Sequence, residues 1–222
     1  MKTSETTLAS ADVSIVITNY NYSRYLGRCI RSCVNQNNIT PEIIVVDDCS
    51  SDNWKEVTDP FIHDIKLIRL ERNVGVAEAS NIGIKAAKGR FFMRVDADDF
   101  ISPDTCYFMH YYLQKNRDAF GVACDYIKVN NYEEKLKRYY ADKDNISCGI
   151  MYRKDLFIDL GGYNSDMRHK EEEEIRKRLG DKYKIHYLNI PFYRYRMHDN
   201  NKTKQPEYKT WEIKHTKGGN LC

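Results

Sequence analysis

The chain has 222 residues, a formal net charge of +3 and 41% hydrophobic residues. That length suffices for one large domain with a substantial core, and so small a charge, spread along the chain, excludes a basic protein that coats nucleic acid or membrane. The opening "MKTSETTLASAD" has no apolar signal-peptide core, and "VSIVI" and "IIVV" are too short to cross a bilayer. The expected location is the cytoplasm, with peripheral contact at the inner face of the membrane and no nucleic-acid partner.

In chain order, "VSIVIT" (13–18) reads as a strand, and Leu26, Cys29, Ile30, Cys33 and Val34 then mark one helical face. Two of the seven cysteines thus fall on an apolar helix face, and no C-x-x-C pair occurs. Reduced core residues are expected rather than disulfides or a zinc site, with Cys222 an exposed thiol. "EIIVVD" (42–47) reads as a strand buried on both faces, "IKLIRL" (65–70) as a third, and Val76 to Ala87 as a small-residue helix before the strand "RFFMRV". Four such repeats imply an α/β fold with a mostly parallel sheet.

Ser102-Pro103 predicts a helix start, serine as N-cap and proline at N1, running to about Asn116. Beyond it, "AFGVACDYIKV" predicts a strand turning at Asn130-Asn131. "RKDLFIDL" predicts a short helix closed by Gly161-Gly162, "EEEEIRKRL" a second helix, and "PFYRYRM" a last strand. A single domain is expected over 1–199, with a polar, lysine-rich tail from 200 to 222.

Polar residues gather just after the strands: Asn19, Tyr20 and Asn21; Asp47 and Asp48; Asn73; Asp96, Asp98 and Asp99. Ligands of open α/β sheets bind at the carboxyl ends of strands, so these clusters should line one crevice. In extended chain Asp96 and Asp98 would point to one side and Asp99 to the other. A helix cap is the plainer explanation of one aspartate, but Ser102 already supplies a cap. An EF-hand loop fails, having Ile101 at its sixth position and Tyr107 at its twelfth. A hard, oxygen-liganded cation such as Mn²⁺ or Mg²⁺ fits best.

"TNYNYSRYL", "IIVVDDCSSDN", "NVGVAEASNIGIKAAKGRFFMRVDADD" and "FIDLGGYNSDMRHKEEEEI" stand in the order and approximate spacing of the family 2 nucleotide-sugar glycosyltransferases, which the chain resembles over about 13–199. The resemblance implies a GT-A, Rossmann-like fold, a central mostly parallel mixed sheet flanked by helices. A nucleotide-binding half at about 13–100 and an acceptor-binding half at about 101–199 are implied with it. The implied activity is inverting transfer from a nucleotide-diphosphate sugar, UDP-linked by expectation, to a glycan or lipid-linked acceptor in polysaccharide or glycoconjugate synthesis.

Carried over residue by residue, the resemblance puts Asn19, Tyr20 and Asn21 against the base and Asp48, backed by Asp47, on base or ribose. Asn73 and Gly75 fall in a ligand-approaching loop, and Asp96 on ribose or metal. Asp98 is the expected direct metal ligand, and Arg196 and His198 are expected at the diphosphate and metal. Glu172, with Glu171 beside it, falls where the family carries its catalytic base. Glutamates also favour a helix's first turn and can pair at i, i+4 with Arg176, Lys177 and Arg178, which accounts for at least two of the four. Two departures stand out: Ser80 replaces an arginine common in the family, and glutamate replaces aspartate as base. They leave open a catalytically degenerate binder of nucleotide sugar or glycan.

Overall fold

The computed structural model describes residues 11–144, 146–167, 170–201 and 204. The first half is β1 (Val13–Asn19), α1 (Ser23–Val34), β2 (Glu42–Asp47), a short α2 (Trp54–Thr58), β3 (Ile65–Arg69), α3 (Val76–Ala86) and β4 (Phe91–Asp96). Its four strands pair in parallel in the order β3-β2-β1-β4. Every residue of β1 is buried, as happens when helices cover both faces of a sheet.

Alternation along the strands separates two cores. Val13, Ile15 and Ile17 face Leu26, Cys29, Ile30 and Cys33 of α1, whereas Val16, Ile44 and Val46 face Ala77, Ala79 and Ile84 of α3. Each large aliphatic side chain removed from water contributes roughly 1.5–3 kcal/mol, offset by the ordering of the chain. α3 lies close against β1 because it carries Gly83. A Cβ there would sit 2.4 Å from Val16 Cγ1. The six cysteines among the described residues are all free.

The second half adds β5 (Phe100–Ile101), α4 (Thr105–Lys115), β6 (Ala119–Val129), β7 (Lys135–Tyr139), β8 (Ile150–Arg153), α5 (Lys154–Asp159), α6 (Glu171–Leu179) and β9 (Lys184–Arg196). β8 enters antiparallel between β4 and β6, β9 runs parallel to β6, and β7 is an edge strand on β6. The result is one mixed nine-stranded sheet, with α4 on the α1 side and α5 and α6 on the α3 side. Among the described residues no helix is long and apolar enough to cross a membrane.

Two local expectations are corrected. α4 begins at Thr105, not at Ser102-Pro103, because Ser102 continues the pairing of β5: its N–H donates to Phe192 O at 2.8 Å. Its carbonyl accepts from Gln36 Nε2 and Thr105 Oγ1 instead of opening a helix. The acidic stretch is likewise not extended. β4 ends at Asp96, and Asp99 N–H donates back to Asp96 O at 3.0 Å, so a turn rather than strand alternation sets the three carboxylates. The expected tail lies outside the described residues apart from Asn200, Asn201 and Lys204. Asn201 folds inward, its Nδ2 donating to Arg196 O.

Candidate active site

The carboxyl ends of β1, β2 and β4 open on a cleft of about 1210 Å³ whose far wall is the first turn of α6. On the β1 and β2 side the polar residues hold one another. Asn19 Nδ2 donates to Asp47 Oδ1 at 2.7 Å and to Ser50 Oγ at 3.1 Å. Asp47 also accepts from Ser50 and ion-pairs with Arg69. Asp47 is therefore a scaffold residue that does not line the cleft, and Asn21, with φ of 57°, likewise serves the loop by accepting from Ser51 N–H.

Asn19, Tyr20 and Asp48 do line the cleft. The Asp48 carboxylate accepts from Val74 N–H at 2.7 Å and Gly75 N–H at 2.9 Å, and Asn73 Nδ2 donates to its carbonyl. This fastens the loop before α3, where Gly75 takes φ of +89° to let the backbone turn in beside the cleft.

At the end of β4, Asp96, Asp98 and Asp99 crowd together. Burial and the neighbouring carboxylates Asp98 and Asp96 hold Asp99 well above the usual range, although Tyr193 O–H and Arg196 N–H donate to it. Burial also raises Asp96, opposed by Arg94 at 3.2 Å. His198 is buried between Tyr22 and Tyr25, its Nε2 2.9 Å from Asp98 Oδ2. Its Nδ1 finds no hydrogen-bond partner among the described residues.

No three Asp, Glu, His or Cys side chains among the described residues stand ready as a closed metal cage. Asp98 and His198 point at one another with Asp96 nearby, an excess of carboxylate and a hard oxygen and nitrogen donor set. Such a partial set suits Mn²⁺ or Mg²⁺, which are commonly held by one or two carboxylates together with substrate phosphate oxygens.

Arg196, expected at the diphosphate, is engaged by the protein itself. Its Nε donates to Asp98 O at 2.9 Å, and its Nη atoms reach Asn130 O, Asn131 O and Glu133. The guanidinium is buried behind the aspartate turn and does not line the cleft. It shapes the turn from beneath.

On the far wall Glu171 and Glu172 are both buried and both line the cleft. Glu171 Oε1 accepts from Arg94 Nη1 at 2.7 Å. Glu172 Oε2 accepts from Tyr152 O–H at 2.7 Å, whereas Arg176 Nε, 2.8 Å from Oε1, lies off the donor axis and makes no hydrogen bond. Burial pushes the Glu172 carboxyl up to about 7, against the pull of Arg176 and Tyr152. Glu174 pairs with Arg178, and Glu173 with Lys170 rather than Lys177.

Arg94 is the residue that sequence reasoning missed. It is a cation in an otherwise apolar, buried strand, "FFMRV", and that mismatch was the available signal. Ser80, in place of the family's arginine, is fully buried and donates to Val76 O one turn back.

The sheet topology and the cleft at its parallel strand ends define the class as GT-A. The chain matches the solved structure of S. aureus TarS 1-349 in complex with UDP with a TM-score of 0.73 at 21% identity, covering 84% of this chain and 60% of that one. It matches the mannosyltransferase PcManGT from Pyrobaculum calidifontis, in complex with GDP-Man and Mn²⁺, with a TM-score of 0.70 at 16% identity, covering 94% and 61%. At such identities the likeness concerns the fold. The family model "Glycosyl transferase family 2" matches residues 14–168, and the chain belongs to that family.

Among curated relatives it is 33% identical over 131 residues to glycosyltransferase GlyG of Streptococcus pneumoniae serotype 4, covering 58% of this chain and 42% of GlyG. It is 34% identical over 139 residues to the succinoglycan biosynthesis protein ExoO of Rhizobium meliloti, covering 60% and 38%. The chain spans less than half the length of these two relatives.

Proposed function

We propose that the protein transfers a sugar, with inversion, from a nucleoside-diphosphate donor, UDP-linked as first choice, to a hydroxyl of a glycan or lipid-linked acceptor in polysaccharide or glycoconjugate synthesis. The observation that carries this reading is the placement of Asp96 and Asp98 across one cleft from Glu171 and Glu172, with His198 2.9 Å from Asp98. Asn19, Tyr20, Asp48 and the Asn73 to Gly75 loop form the nucleoside end. Asp98 and His198, with Asp96, would hold Mn²⁺ or Mg²⁺, and such an ion would supply positive charge to a departing diphosphate.

As the acceptor oxygen bonds to the anomeric carbon, the bond to the diphosphate breaks and the hydroxyl proton passes to the carboxylate of Glu172. A carboxyl near 7 suits a general base at neutral pH. Glu171, tied to Arg94 at 2.7 Å, is the poorer proton acceptor and serves as a wall of the acceptor side. The experiment is donor-dependent release of nucleoside diphosphate with Mn²⁺ and a panel of acceptors. Binding of metal and nucleotide without release would favour the degenerate binder that Ser80 and the glutamate run leave open. A peripheral site of action at the inner membrane face belongs to the same proposal, and fractionation of cells into membrane and soluble pools checks it.

A further inference from the structure

The hairpin of β6 and β7 carries an arrangement that the transfer chemistry leaves unused. Lys128 on β6 stands directly opposite Lys137 on β7 and, on its other side, in register with Tyr195 of β9. The next row pairs Tyr139 with Tyr126 and Tyr126 with Tyr193, whose hydroxyl donates to Asp99 at 2.8 Å. Residues in register share a sheet face, so Lys137, Lys128 and Tyr195 form a row that ends at the cleft, which Tyr195 lines.

The lysines rest on aromatic rings. Lys128 Nζ is 4.4 Å from the Tyr139 ring centre and 5.9 Å from that of Tyr195, and Lys137 Nζ is 5.0 Å from Tyr139. Tyr139 itself is stacked on Tyr126 at 5.1 Å and 7°. Among the described residues neither Lys128 nor Lys137 forms an ion pair with a carboxylate. Two acids act on this face, Asp144 electrostatically on Tyr126 and Asp99 as acceptor of the Tyr193 hydroxyl at its buried end.

Like charges directly opposite one another across strands are unfavourable unless an anion lies over them. Lysines on an edge strand also deter pairing with a second chain. That explains Lys135 and Lys137 on β7 but not Lys128, which sits on an interior strand in line with the cleft.

We infer that this face is the track along which the acceptor approaches, and that the acceptor is a glycan bearing anionic groups, such as uronate carboxylates. The inference rests on the transferase reading and adds a substrate class to it. The ammonium groups of Lys128 and Lys137 stand beside the half-buried rings of Tyr139 and Tyr195, which offers charge to the acids and aromatic edge to the sugars, while Tyr126 and Tyr193 are buried beneath. An anionic bilayer fits less well, because the lysine row leads through Tyr195 into a cleft rather than onto a broad surface.

The test titrates an oligogalacturonate, and a neutral malto-oligosaccharide of equal length, into the protein at low ionic strength. The proteins compared are the wild type, Lys128→Gln/Lys137→Gln, and a control pair on exposed ground elsewhere, Lys85→Gln/Lys88→Gln. The wild type should bind the oligouronate and not the neutral chain. The Lys128/Lys137 variant should lose roughly tenfold or more, as loss of a charge-assisted contact implies, while the control pair binds as the wild type does. UDP affinity should be equal in all three.

No oligouronate binding by the wild type, equal loss in the control pair, unchanged affinity in the Lys128/Lys137 variant, or tighter binding to phosphatidylglycerol vesicles would each overturn the inference. Failure of the transferase reading would instead appear as absent UDP binding or release, a separate readout.

Discussion

Arg94 and Glu171, 77 residues apart in sequence, meet at 2.7 Å inside the protein, and the same guanidinium lies 3.2 Å from Asp96. One buried cation thus joins the strand that presents the aspartates to the helix that presents the glutamates. Arg94→Met would take the guanidinium away from both carboxylates, and removing one member of a buried pair such as Arg94 and Glu171 costs about 3–5 kcal/mol. A loss of unfolding free energy of that size is expected in a denaturant titration, with Arg94→Lys intermediate. A variant as stable as the wild type would mean that the two carboxylates relax into water.

Asp98→Ala should abolish Mn²⁺-dependent transfer while the melting temperature stays near that of the wild type. No apolar contact is lost, and the relief of Asp99 from a repelling neighbour offsets the loss of the Asp98 partner of His198 Nε2. Transfer by this variant at the wild-type rate would sink the metal assignment. His198→Ala should weaken Mn²⁺ activation in the same assay.

Glu172 gives a prediction with a sign. As base it must be ionised, so turnover should fall on the acid side of about pH 7, and Glu172→Gln should lower kcat while donor affinity survives. Should Glu171→Gln be the inactive variant instead, the roles of the two are exchanged.

Stability follows the same group. Its folded value lies above the ordinary 4.5, so its favourable contribution is full below about 4.5 and is lost as pH rises through about 7. Glu172→Gln, which cannot ionise, should therefore melt higher than the wild type at pH 8 and not at pH 4, by on the order of 3 kcal/mol at most. Thermal scans at the two pH values decide the point.

Gly83→Ala separates propensity from packing. In an exposed helix the change would stabilise by about 1 kcal/mol, but here the new methyl meets Val16 at 2.4 Å. Overpacking of that kind costs about 1–3 kcal/mol, so a lower urea midpoint is expected, and an unchanged one would show that α3 can shift outward.

Much of the first half was legible because its strands announce themselves: "VSIVIT" and "EIIVVD" are apolar at consecutive positions, and only a sheet covered on both faces asks for that. α6 was equally plain from its charge pattern. β8 was not anticipated. Four residues that pair with β4 and β6, strands distant in sequence, carry no local period to read. The choice between Glu171 and Glu172 was beyond the sequence for a related reason. They are adjacent in one helical turn, and what distinguishes them is a partner on β4 for one and Tyr152 on β8 for the other. The position of Arg196 in its motif says nothing of its partners, and the guanidinium props the aspartate turn through Asp98 O.

Asn81 on α3 donates to Tyr163 O at 2.8 Å and accepts from Tyr163 N–H at 2.9 Å, gripping the loop after Gly161 and Gly162 as a neighbouring strand would. The Gly162 conformation, φ +71°, leaves room for that amide, since a Cβ would stand 2.8 Å from Asn81 Oδ1. α3 thereby fixes the start of the segment that follows the two glycines. Change at this one amide would therefore be felt as lost alignment between two sites it touches neither of, so that each half could still recognise its ligand while the pair no longer reacted.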